Sequence, residues 1–160
     1  MADDLIESAE QLGFWLQQRR QRLVTAESCT GGWIAESVTA IAGSSAWFDR
    51  GFITYSNPAK IQMLGVKSAT LEKNGAVSLE TAKEMAFGAL AHSEADYSIA
   101  VTGIAGPDGG STEKPVGTVY IAWANRNDDC QVKGFLFDGN RRQIRFQTVQ
   151  KALHGLLKFD

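Results

Sequence analysis

Ser44 and Ser45 stand in a turn opened by Gly43, and Tyr55 and Lys60 follow one strand and one turn further along the chain. Hydrolysis of an amide needs a nucleophile, a group that takes its proton and donors for the oxyanion, all of which can be supplied without a metal. No Ser-His-Asp set is evident. The base on offer is therefore a lysine made neutral by desolvation, with main-chain N–H groups of the Gly43–Ser45 turn facing the developing charge. The same residues also fit a plainer reading, in which the serines cap and turn, Tyr55 packs at a strand end and Lys60 is a solvated charge. Cys29 is a rival nucleophile, because a thiol near a helix N-terminus ionises more easily. No histidine is placed to partner it, and a small buried residue accounts for it equally.

Two further segments have the composition of a ligand site. Ala26-Glu27-Ser28-Cys29-Thr30-Gly31-Gly32 follows the apolar pair Leu23-Val24 and precedes an amphipathic stretch from Trp33. Strand, glycine turn and helix make an anion cradle, with unpaired N–H groups and the positive end of the helix dipole aimed at the ligand. An ordinary capped turn shares that pattern. Arg141, Arg142 and Arg145 crowd the start of the last helix, where the dipole disfavours each cation by roughly a few tenths of a kcal/mol. An anion should offset them. Asp138 would do so as a surface pair, and a ligand phosphate would do so through bidentate guanidinium contacts. His92 and His154 lie near helix ends and read as structural.

The elements that must position these groups follow from periodicity. Leu5, Ile6, Leu12, Trp15 and Leu16 predict a helix over about 3–21, Leu23 to Thr25 a first strand, Trp33 to Ala40 a second helix, and Gly51 to Tyr55 a second strand. Asn57 before Pro58 predicts a short capped helix ending near Gly65. Ser78 caps a longer helix with Ala82, Met85, Ala86, Ala89 and Leu90 on one face, whose small residues imply close packing on a sheet. Tyr97 to Val101 reads as a strand buried on both sides. It feeds a glycine-rich loop from Thr102 to Pro115, longer than compact domains usually keep without a purpose. Gly117–Asn125 and Val132–Phe137 form an antiparallel hairpin, and a helix from Arg141 closes the chain. The pattern predicts an α/β fold, a three-layer α/β/α sandwich with a mixed sheet, as a single domain over 1–160.

Composition narrows the function. The 160 residues suit one domain. A net charge of −2 with interspersed signs gives no basic field for nucleic acid. Two cysteines without CxxC spacing and two isolated histidines offer no metal site. Acids at Asp3, Asp4 and Glu7 and the absence of a long apolar run predict a cytoplasmic protein with no membrane partner.

Taken in order, Ala26–Gly32, Ala42-Gly43-Ser44-Ser45, Thr54-Tyr55-Ser56-Asn57, Gly75-Ala76-Val77-Ser78 and Thr102–Gly110 resemble the C-terminal domain family of the competence/damage-inducible protein CinA. The resemblance covers nearly the whole chain. The family's stand-alone members are nicotinamide-nucleotide amidases of the PncC type. The resemblance therefore implies hydrolysis of nicotinamide mononucleotide to nicotinate mononucleotide and ammonia in pyridine-nucleotide recycling, without a cofactor. Carried over by position, it implies Ser45 as nucleophile, Lys60 and Tyr55 as proton-handling groups, and Thr30, Gly31, Thr102, Gly103, Arg142 and Arg145 as substrate-binding residues. It also implies a homodimer. A pyridine-nucleotide sensor without hydrolytic activity is the alternative of a different class, and the two part at Ser45.

Overall fold

The computed structural model describes residues 2–159. In chain order the elements are α1 (Ala2–Arg19), β1 (Leu23–Glu27), α2 (Trp33–Thr39), a 3-10 turn (Ser44–Ala46) and β2 (Phe48–Ile53). There follow α3 (Asn57–Leu64), α4 (Ser68–Asn74), α5 (Leu79–Ala91), β3 (Tyr97–Gly103), β4 (Thr118–Asn125), β5 (Cys130–Leu136) and α6 (Arg141–Leu157). The five strands form one sheet in the order β2-β1-β3-β4-β5. β1 runs parallel to β2 and β3, and β4 and β5 are antiparallel additions. The mixed α/β sandwich predicted from periodicity is the fold observed.

Side-chain alternation divides the core into two layers. Leu23, Ile99, Val101, Ile121 and Trp123 point to one face and pack with α1, α2 and α6. Val24, Ala26, Ala100, Ala122 and Ala124 point to the other, against α3, α4 and α5. The second face is built of small residues, and α5 answers with Ala82, Ala86 and Ala89, so helix and sheet approach closely. Gly88 extends this approach to α3, since a Cβ there would run into the Leu64 carbonyl.

Three details differ from the sequence expectation. Ser56, not Asn57, caps α3, its hydroxyl accepting from Ala59 N at 3.1 Å, so that Asn57 and Pro58 lie inside the first turn. Helix α4 lacks the periodicity that would announce it. β2 starts earlier and stops at Ile53, leaving Thr54 and Tyr55 beyond its carboxyl end. β1 and β2 also fall out of step. Leu23 faces Phe48 but Val24 faces Arg50, leaving Asp49 as an extra residue, a β-bulge. Its carboxylate accepts from Glu94 N at 3.1 Å and from Arg50 Nε at 2.8 Å, which pins the bulge.

Candidate active site

In open α/β sheets a ligand crevice forms beyond the carboxyl ends of the parallel strands, where successive connections leave for opposite faces. Here the chain leaves β1 toward α2 on one face and β2 toward α3 on the other. At that end lies a cavity of about 290 Å³. Its walls include Ser28 and Cys29 after β1, Tyr55, Asn57 and Lys60 after β2, Thr102 and Gly103 at the end of β3, and Ile104 to Gly106 with Asp108 beyond it. Arg141, the first residue of α6, closes the rim.

Lys60 is the centre of this arrangement. Its side chain is only 1% exposed, yet it ends in an amine. Nζ lies 3.0 Å from Ser28 Oγ, 3.0 Å from the Thr54 carbonyl and 3.1 Å from the Tyr55 carbonyl. Burial pushes the Lys60 pKa below the ordinary lysine value, because desolvation penalises the ammonium form. A neutral amine has two N–H bonds and one lone pair. Nζ donates to all three oxygens and the Ser28 hydroxyl points at Tyr55 O at 3.5 Å; in the neutral form, N–H bonds kept on Thr54 O and Tyr55 O would leave the lone pair for the Ser28 hydroxyl.

Cys29 lines the same cavity, but its thiol is pushed up to about 12, first by burial and then by the charge of Glu27, with Arg145 acting weakly against them. It is a poor thiolate source, contrary to what a helix N-terminus alone suggests. The anion cradle expected at α2 is also corrected. Glu27, 1% exposed, occupies it. Its Oε1 accepts from Thr30 Oγ1 at 2.6 Å and Ile34 N at 2.9 Å, and its Oε2 from Ala35 N at 3.1 Å. A carboxylate from the chain has taken the place expected for a substrate anion.

The remaining sequence candidates divide. Thr102 and Gly103 line the cavity, and the Thr102 hydroxyl donates to Ala76 O at 2.8 Å, tying β3 to the loop before α5. Tyr55 stands at the rim, its hydroxyl accepting from Arg141 Nη2 at 3.3 Å. Ser45 is not brought to this site. It is exposed on the 3-10 turn before β2, whereas Tyr55 and Lys60 follow β2. Six strand residues separate the two ends by roughly 20 Å. The main chain of its turn is engaged locally, Ser44 N donating to Ile41 O and Ala46 N to Gly43 O.

Thr30 and Gly31 do not line the cavity either, the Thr30 hydroxyl being given to Glu27. Arg142 lies over the Trp33 ring at 4.9 Å, beside a separate hollow with Leu5 and Ile6. Arg145 is spent on the main chain, Nε donating to Cys29 O at 3.0 Å and Nη2 to Thr30 O at 3.1 Å. Arg141 is the arginine at the cavity, its Nη1 donating to Gly106 O at 2.7 Å. The sequence places the Ser28–Gly32 turn in the pocket wall and leaves open which of Arg141, Arg142 and Arg145 meets a phosphate, but it gives Ser28 no catalytic role and does not single out Asn57 or Asp108. Adjacency of β1 and β2 in a parallel sheet was the signal that would have paired Ser28 with Lys60.

The family model of the CinA C-terminal domain matches residues 6–159. The chain belongs to the CinA C-terminal domain family. Among curated members, the nicotinamide-nucleotide amidohydrolase PncC of Escherichia coli K12 is 52% identical over 153 residues, covering 96% of this chain and 93% of that protein. The protein of the same name from Pseudomonas putida is 47% identical, covering 98% and 97%. Among solved structures of the CinA family, the competence/damage inducible protein CihA of Agrobacterium tumefaciens matches with a TM-score of 0.95. It is 49% identical, covering 98% of this chain and 95% of that one.

Proposed function

We propose that this chain is a nicotinamide-nucleotide amidohydrolase in which Ser28 is the nucleophile and Lys60 its base. The observation that carries the mechanism is the buried Lys60 amine 3.0 Å from Ser28 Oγ. The substrate rests on the printed activity of relatives that match almost end to end. Neutral Lys60 takes the Ser28 proton as Oγ attacks the carboxamide carbon. The resulting ammonium returns that proton to the departing nitrogen when the C–N bond breaks, releasing ammonia and leaving an acyl ester on Ser28. Water then attacks the ester with Lys60 taking its proton, and the ammonium gives that proton to Ser28 Oγ as the ester C–O bond breaks and nicotinate mononucleotide leaves. The main-chain N–H groups of Ala105 and Gly106, beyond the Ile104 N–H that is given to Thr118 O at 2.9 Å, are the donors for the oxyanion, each worth about 3–4 kcal/mol where such a donor is well placed. Arg141 at the rim meets the phosphate, a role suited to a guanidinium fork. Binding energy from that remote group holds the carboxamide against Ser28.

The test is ammonia release from nicotinamide mononucleotide by the chelator-treated protein, beside Ser28→Ala and Ser45→Ala. Release that persists in Ser45→Ala and disappears in a folded Ser28→Ala supports the scheme. Full activity in Ser28→Ala would sink it.

A further inference from the structure

The Ser28–Gly32 turn is held from two sides by charged groups that do not line the cavity. From below, Glu27 binds the Thr30 hydroxyl and the Ile34 and Ala35 N–H groups, fastening the turn to the first residues of α2. From above, the Arg145 guanidinium reaches across from α6 and bridges two consecutive carbonyls, Cys29 O and Thr30 O. The Arg145 guanidinium also lies 5.4 Å from the centre of the Trp33 ring, a cation–π contact. Ser28 itself has its N–H bound to Val101 O at 3.2 Å, so its main chain is anchored to β3 on one side and to this brace on the other.

We propose that Glu27 and Arg145 are positioning residues for the reaction, bracing the Ser28–Gly32 turn so that Ser28 Oγ stays within reach of Lys60 Nζ. The inference rests on Ser28 being the nucleophile. A near-attack arrangement tolerates little error, and a displacement of about 1 Å can cost about 100-fold in rate. Arg145 presents two N–H groups in one plane to two carbonyls, a geometry a lysine ammonium does not reproduce. Glu27 presents two acceptor oxygens to three donors. A glutamine at that position turns one acceptor into a donor that faces a donor.

The experiment measures kcat and KM for nicotinamide mononucleotide, and the Kd of nicotinate mononucleotide, for the wild type, Arg145→Lys, Arg145→Met, Glu27→Gln and Ser28→Ala, each checked for native circular dichroism. We expect kcat to fall about 30- to 100-fold in both Arg145 variants and about 10-fold in Glu27→Gln, with Kd within about threefold of wild type. Lysine should not rescue. A raised Kd with kcat preserved at saturation would make Arg145 a ligand-binding residue and overturn the proposal. Recovery in Arg145→Lys would assign it a role of charge alone, with the same result, as would variants indistinguishable from wild type. Undiminished activity in Ser28→Ala identifies the other failure, that of the nucleophile assignment on which the brace depends.

Discussion

Lys60→Met separates chemistry from folding, because methionine keeps an unbranched apolar stem of similar reach and removes only the amine. Three polar contacts at 3.0, 3.0 and 3.1 Å are lost. At about 1 kcal/mol net each they contribute about 3 kcal/mol. That net figure already contains the cost of desolvating the 1%-exposed amine, so the variant is destabilised by about 3 kcal/mol, a fall in Tm of about 6–12 °C for a chain of this size. Loss of the general base should instead cost about 100- to 10,000-fold in kcat/KM, about 3–5.5 kcal/mol of barrier. The assay pairs ammonia release with thermal unfolding of the same preparation. A folded Lys60→Met that keeps more than about a tenth of wild-type kcat/KM would refute the assignment of Lys60 as base.

The pH dependence carries the same signature. The rate follows the neutral amine, so kcat/KM should rise with pH and level off at an inflection below 10.5, the ordinary lysine value. The stability difference between wild type and Lys60→Met moves the same way. Between the lowered folded-state pKa and 10.5, the unfolded chain holds a proton that the folded chain has released. Wild-type stability relative to the variant therefore rises with pH across that window, and falls as pH drops through the folded-state value. An inflection at or above the ordinary value would contradict a desolvated lysine.

Further outcomes follow from the geometry. Cys29→Ala should keep activity within about threefold, and the wild-type thiol, pushed up to about 12, should resist iodoacetamide at pH 8 until the chain is denatured. Arg141→Ala should raise KM for the mononucleotide about 10- to 100-fold, the loss expected of a charge-assisted phosphate contact, while leaving the weaker turnover of nicotinamide riboside unchanged. Equal effects on both substrates would remove the phosphate from that arginine. Gly88→Ala should lower stability by about 1–3 kcal/mol, because its Cβ meets the rigid Leu64 carbonyl and α5 must shift on the sheet. Urea unfolding measures it, and an unchanged midpoint would show that the α3–α5 approach yields easily.

The layers were readable because Tyr97 to Val101 is an uncharged, mostly apolar run and α5 has a face of small residues, the patterns of a strand covered on both sides and of a closely packed helix. The site was read less well, and for identifiable reasons. Ser45 lies nearer in sequence to Lys60 than Ser28 does, but a whole strand intervenes, and a strand carries its two ends apart. Ser28 is 32 residues from Lys60, and only the lateral pairing of β1 with β2 brings them together. The arginines illustrate a second limit. Successive helix residues point about 100° apart, so Arg141, Arg142 and Arg145 reach the cavity, the Trp33 ring and the Ser28 turn respectively. Their clustering announced a charged helix start, but the rotational phase of α6 decides which one meets a ligand. Glu27 was hidden because a charged residue at a strand end gives no periodic signal that it will turn inward.

The bulge at Asp49 bears on which changes of length the chain can accept. It sits at the opposite end of β2 from the cavity, yet it sets the phase of everything downstream, including the Thr54 and Tyr55 carbonyls that receive the Lys60 amine. A deletion that straightens the strand would advance β2 by one residue against β1 and turn alternate side chains to the wrong face. The turn before Ser44 is a surface connection where extra residues are accommodated, but the stretch from Trp47 to Lys60 behaves as a measured spacer between two anchor points. Chimeras spliced within that stretch should therefore preserve its residue count, including the surplus at Asp49, even where their sequence identity is low.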